Sequence, residues 1–199
     1  MAATPSGPVI RFADLSPSPW LNGAGRTVEL AAGAGPSQDG MFPDGTSPDG
    51  GWDWRLSLAD VDRPAPFSRL PGIRRILTIV DGGPLDLTVD GVLRRVERYR
   101  PFAFDGGAAT LSALPAGPVR NLNLMLGPSA VRGTVHGSVD IVPVTERLPV
   151  EVCGFQLAVL LAGEATAAGR RLERFDTVLG HPGGETVTGT GQLALVSIR

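Results

Sequence analysis

Two short runs decide how this chain reads: Trp52-Asp53-Trp54-Arg55-Leu56-Ser57-Leu58-Ala59, and Pro66-Phe67-Ser68-Arg69-Leu70-Pro71-Gly72-Ile73-Arg74-Arg75-Ile76-Leu77-Thr78-Ile79-Val80. The first alternates with the period of a strand. Trp52, Trp54, Leu56 and Leu58 fall on one face; Asp53, Arg55, Ser57 and Ala59 fall on the other. Pro64, Pro66, Pro71 and Gly72 punctuate a turn-rich joint. The second run opens on two arginines and continues apolar, as a buried strand does. Two neighbouring strands therefore carry Arg55 and either Arg74 or Arg75. A one-residue change of register exchanges the last two between faces. Such arginines form a solvated rim or the wall of an anion pocket, and periodicity alone leaves both readings open.

The same pattern extends outward in both directions. Leu85, Leu87 and Val89 alternate with Asp86 and Thr88, Asp90-Gly91 signals a two-residue hairpin, and Val92 to Val96 returns. Leu122, Leu124 and Leu126 alternate with Asn121, Asn123 and Met125. Further short strands are predicted over Val9–Phe12, Arg26–Ala31, Val139–Val144, Phe155–Leu161 and Leu193–Ile198. No long amphipathic helix is visible. With 27 Gly and 18 Pro in 199 residues, tight turns between many strands fit better than helices do. The expected fold class is all-β. Residues 32–51, almost all Ala, Gly, Pro, Ser and Asp, read as a flexible loop.

An internal repeat organises these strands. Arg94-Arg95-Val96-Glu97-Arg98-Tyr99 matches Arg170-Arg171-Leu172-Glu173-Arg174-Phe175 position for position, and Ile76–Gly82 matches Leu157–Gly163 in pattern. Apolar strand, Gly turn, polar hairpin and a strand ending in an aromatic occur twice, as expected of two β-barrel units in one chain.

Composition narrows the function classes. Net charge is −2, so bulk electrostatics supports neither nucleic-acid nor anionic-membrane binding. All 18 basic residues are Arg, which removes lysine Schiff-base chemistry. The single Cys153, in an apolar run, reads as a buried, inert thiol. No signal peptide or apolar span is visible, and the expected location is cytoplasmic. His136 and His181 have no ligand-spaced companions, so no metal or other cofactor is expected. No nucleophile motif, phosphate loop or assignable carboxylate pair is present, and no catalytic residue is assigned. Asn22, Ser57, Asn121 and Asn123 sit in or beside apolar strands, where burial demands hydrogen bonds. Together with an arginine they suit a small carboxylate, which a guanidinium grips with two parallel bonds.

Three stretches resemble one family. Trp20-Leu21-Asn22-Gly23-Ala24-Gly25-Arg26-Thr27-Val28-Glu29-Leu30 is similar to its first signature. Trp54–Val61 with Pro66–Arg75 is similar to its second, and Asn121-Leu122-Asn123-Leu124-Met125 to its third. They resemble the HutD/Ves family, from about Phe12 to the C-terminus. The resemblance implies a bicupin of two RmlC-like jelly-roll barrels over 9–199, with cupin-like units around 52–126 and 139–198. It implies a non-enzymatic regulator accompanying histidine utilisation that binds an intermediate such as formylglutamate, or, on the Ves side, a role in stress response. It also implies a ligand pocket built from Trp20, Asn22, Arg55, Ser57, Arg75 and Asn123. Leu21 and Asn121 depart from the family's Lys and Asp. A metal-free cupin isomerase or lyase, with Glu29 or His136 as base, is the rival expectation. A homodimer through exposed edge strands is a third.

Overall fold

The computed structural model describes residues 8–20, 23–35, 51–127 and 135–199. Its strands are β1 (Val9–Ile10), β2 (Ser18–Pro19), β3 (Gly25–Gly33), β4 (Trp54–Val61), β5 (Arg74–Asp81), β6 (Leu85–Val89), β7 (Val92–Val96), β8 (Phe102–Asp105), β9 (Thr110–Ala113) and β10 (Val119–Leu126). They continue as β11 (Gly137–Val144), β12 (Val150–Val152), β13 (Gln156–Ala167), β14 (Arg170–Leu172), β15 (Thr177–Leu179) and β16 (Glu185–Ile198). Among the described residues the one helical element is a 3-10 turn, Phe12–Asp14. The fold is all-β, and no helix among these residues is long and apolar enough to cross a membrane.

The chain divides into two compact units. The first comprises Ser16–Ala32 and Trp52–His136; the second comprises Met1–Leu15, Gly33–Gly51 and Gly137–Arg199. In the first, β2-β3-β4-β10-β5-β8 form one sheet and β7-β6-β9 a second. Leu77 and Ile79 of β5 pack with Leu85 and Leu87 of β6, Val96, Phe67 and Phe104. The opposite face of the larger sheet, with Trp54, Leu56, Leu58, Leu122, Leu124 and Leu126, is buried as well. In the second unit, β1, β15, β13, β16 and β11 follow one another in a sheet that also holds β12 and β14. Its core is aliphatic: Val144, Val152, Ala158, Leu160, Leu172, Val178, Val187 and Leu193. Among the described residues none of the three sheets closes on itself.

The repeat seen in the sequence has a backbone counterpart. Tyr99 and Phe175 hold the left-handed conformation (φ 62° and 73°), as do Asp90 and Ala168 (φ 46° and 50°) at the hairpin tips. A bulky residue rarely adopts that conformation. Tyr99 donates its N–H to the carbonyl of Ile79 at 2.9 Å, and Phe175 donates to that of Leu160 at 2.7 Å. Arg98 lies over the Tyr99 ring at 4.7 Å and Arg174 over the Phe175 ring at 4.5 Å. Each pair occupies equivalent places in the two sequence copies, so the same strained turn is built twice.

Three expectations need correction. Trp52 precedes β4, beyond a bend at Asp53, and so leaves the face of Trp54, Leu56 and Leu58. Residues 32 and 33 belong to β3 rather than to a loop, and 36–50 of the expected flexible segment lie outside the described residues. Cys153 is exposed, not buried, because the chain turns at Gly154 just before β13 enters the core.

Phe175 is 3% exposed and meets the Phe12 ring edge-on at 5.4 Å, whereas Tyr99 is half-buried. Phe175→Ala should lower the unfolding free energy by about 3–5 kcal/mol. Tyr99→Ala should cost about half as much, the two being compared by urea denaturation.

Candidate functional site

Strand register assembles the site in rows. On one face of the larger sheet Arg55 pairs with Met125 and Met125 with Arg75, which pairs in turn with Phe104. The next row is Ser57, Asn123, Leu77 and Phe102. The two arginine backbones therefore stand two strand spacings apart, about 10 Å. This face borders a cavity of about 450 Å³ whose lining includes Trp20, Thr27, Trp52, Arg55, Ser57, Phe67, Arg75, Asn123 and Met125. All of its lining residues belong to the first unit.

Five of the six residues singled out in the sequence thus meet on one cavity. Asn22, the sixth, lies outside the described residues, as does Leu21. Asn121 is buried one row further on and donates its amide to the carbonyl of Ala59 at 3.2 Å. The ambiguity between Arg74 and Arg75 resolves by register: Arg75 is 7% exposed on the cavity face, while Arg74 is exposed.

Arg75 dominates the electrostatics. Burial pushes its guanidinium down from its usual range to about 10, so it remains a cation at neutral pH. Its Nε donates a long bond to Asn123 Oδ1 at 3.4 Å. Its head lies 4.9 Å from the centre of the Phe67 ring and 5.2 Å from that of Phe104. The ion pairs formed among the described residues do not include Arg75. Two aromatic faces attract the cation but supply no hydrogen-bond acceptor in its plane.

Arg55 is held differently. Its Nε lies 2.7 Å from Glu29 Oε2, yet the alignment makes no hydrogen bond and that buried donor stays unsatisfied. The strand bearing Glu29 is fixed by Asp60. Asp60 accepts Arg26 Nε at 2.7 Å and both Arg120 Nε and Nη2, at 2.5 and 2.9 Å. Burial alone raises the Asp60 carboxyl, but these bonds outweigh it and hold the group below its usual range.

Trp20 walls the cavity. Its indole N–H donates to Thr27 Oγ1 at 2.7 Å and its ring meets Phe67 edge-on at 6.2 Å. Its backbone N–H donates to the Gly25 carbonyl at 2.9 Å, and position 25 requires glycine: a Cβ there would stand 2.0 Å from the Asp60 carbonyl oxygen. This explains a glycine at that motif position in physical terms.

At the equivalent place in the second unit the described residues carry no arginine. By the repeat, Gln156 stands where Arg75 does. Its Oε1 accepts Cys153 N–H at 3.0 Å and its Nε2 donates to Ser197 Oγ at 3.3 Å.

The cavity lining offers no His, Cys, Asp or Glu, a donor set unsuited to a divalent metal. Among the described residues no group of three or more such side chains is placed to hold one. Of the two bases named for an enzyme, Glu29 is engaged with Arg55 and His136 is exposed away from the lining. Sequence reading missed Glu29 as an ion-pair partner, and it missed Thr27, Trp52, Phe67 and Met125 as lining. Phe67 sits in the turn-rich joint and Trp52 before the strand, so periodicity held no signal for either.

These features define the class: an all-β, cupin-like protein with a cavity lined by arginines and aromatic rings. The family profile described as HutD matches residues 12–195, and the chain belongs to the HutD family. HutD from Pseudomonas fluorescens SBW25 has a similar structure, with a TM-score of 0.74 and 29% identity over 96% of both chains. A 21.2 kDa protein in the hutC 3′ region of Pseudomonas putida is 33% identical over 129 residues, 64% of this chain and 62% of that protein. Protein Ves of Citrobacter koseri is 32% identical over 108 residues, 53% of this chain and 50% of Ves. The matches thus span less than two thirds of these two relatives' own length. A Cupin 2 conserved barrel domain protein from Leptotrichia buccalis shares the fold, with a TM-score of 0.55 and 11% identity over 96% of each chain.

A buried cation without a counter-ion is costly, and an apolar residue of similar length removes that cost. Arg75→Met should therefore raise the unfolding free energy of the ligand-free protein by roughly 1–3 kcal/mol at pH 7, measured by denaturant titration in carboxylate-free buffer.

Proposed function

We propose that this protein is a non-catalytic regulatory protein that binds a small carboxylate metabolite of histidine degradation, formylglutamate or a close analogue, and so moderates histidine utilisation. The observation that carries this reading is Arg75, a buried guanidinium that lines a cavity and enters no ion pair among the described residues. A ligand carboxylate supplies the missing counter-charge and accepts the free in-plane donors. Ser57 and Asn123, adjacent on the next row, orient the polar remainder, and Trp20 covers it. Arg55 takes a second anionic group at the other side of Met125.

The scaffold fits a bicupin with units around 52–126 and 139–198. The paired strained turns at Tyr99 and Phe175 support that reading. Only the first of the two units carries the arginine; the other keeps the framework and fills its interior with aliphatic side chains. A metabolite sensor of this kind is consistent with the charge and compartment expected from the sequence, and with membership of a family that includes HutD.

Calorimetric titration with N-formyl-L-glutamate, urocanate and glutamate tests the reading. Saturable binding of N-formyl-L-glutamate is expected. Arg55→Ala should weaken it about tenfold, the loss of one exposed-side charge contact, and Arg75→Met should weaken it at least about a hundredfold. Undiminished binding by a folded Arg75→Met variant would remove the central residue from the assignment.

A further inference from the structure

Resting on the carboxylate-binding reading above, we infer that Glu29 is a built-in competitor: its carboxylate occupies Arg55 in the free protein, and an incoming anion must displace it. Three observations meet here. The Glu29 and Arg55 side chains lie 2.7 Å apart, so the contact neutralises the charge of Arg55. The Arg55 Nε is nonetheless buried and makes no hydrogen bond, so the pair leaves a donor unsatisfied that a differently placed carboxylate would satisfy. Arg55 lines the cavity, and Glu29 is not among the residues that line it; its side chain is 45% exposed. Glu29 is therefore free to swing into water at small cost once a ligand replaces it.

The two arginines consequently differ in kind. Arg75 is an open anion receptor, and Arg55 is a guarded one. A small monocarboxylate satisfies Arg75 without disturbing Glu29. A ligand with a second anionic group reaches Arg55 only by displacing Glu29. The guard sets a threshold on affinity for dianions and leaves monoanions untouched.

The test uses the full chain and two probes, formate as a monoanion and N-formyl-L-glutamate as a dianion. Affinities are measured for the native protein, Glu29→Gln and Glu29→Ala, each also combined with Arg55→Gln. Both single variants should bind N-formyl-L-glutamate about five- to tenfold more tightly than the native protein. Their affinity for formate should stay the same, and the gain should vanish when Arg55→Gln is present. If the native protein does not bind the dianion while Glu29→Gln does, the competitor role stands. If the native protein binds and removal of Glu29 leaves affinity unchanged or lowers it, the competitor role falls and the carboxylate reading survives. If no variant binds either probe, both fall.

Discussion

A guanidinium held in a β-sheet with almost no access to water is the constraint on which the rest of the first unit depends. Arg75 is only 7% exposed, and aromatic rings at Phe67 and Phe104 compensate for part of the lost solvation. Its surroundings follow from that. The face of the sheet opposite the cavity is buried, and Leu77 and Ile79 pack in the core, which accounts for the near-continuous apolar run of β5. Its neighbours on the cavity face must be polar enough to tolerate a charge, which accounts for Asn123 and Ser57. Trp20 also borders the cavity, and its backbone partner Gly25 is pressed on the Asp60 carbonyl.

The second unit shows the same framework without the charge. At the position equivalent to Arg75 an uncharged amide is satisfied on both sides by Cys153 and Ser197, and aliphatic residues fill the core behind it. The strained turns at Tyr99 and Phe175 recur because the hairpin geometry and the carbonyls of Ile79 and Leu160 require them. The two sequence copies thus share these backbone features and differ in the side chains at the Arg75 and Gln156 positions. One copy has an aliphatic core, and the other places a buried guanidinium on a cavity.

Much of this was legible in the sequence where period and register suffice. Alternation around Trp54–Leu58 and Asn121–Leu126 put Arg55, Ser57 and Asn123 on one face, and pairing of β4, β10 and β5 did the rest. Periodicity alone left Arg74 and Arg75 open, because that choice turns on a register that only the partner strand sets; it was the family resemblance that named Arg75. Trp52 was misplaced for a related reason: alternation holds only while the strand stays extended, and the bend at Asp53 ends it. Cys153 was misjudged because its neighbours are apolar while the chain turns outward at Gly154. The Glu29–Arg55 contact joins residues distant in sequence, and no local pattern announces an ion pair between strands.

The most direct measurement is the side-chain Nε–H resonance of Arg75 by ¹⁵N–¹H NMR, assigned through the Arg75→Met variant and followed as N-formyl-L-glutamate is added. The account predicts a slowly exchanging signal in the free protein that moves downfield and saturates with ligand, as a new hydrogen bond to a carboxylate forms. An Arg75 signal that stays still while resonances elsewhere respond would contradict it and move the binding site off this sheet.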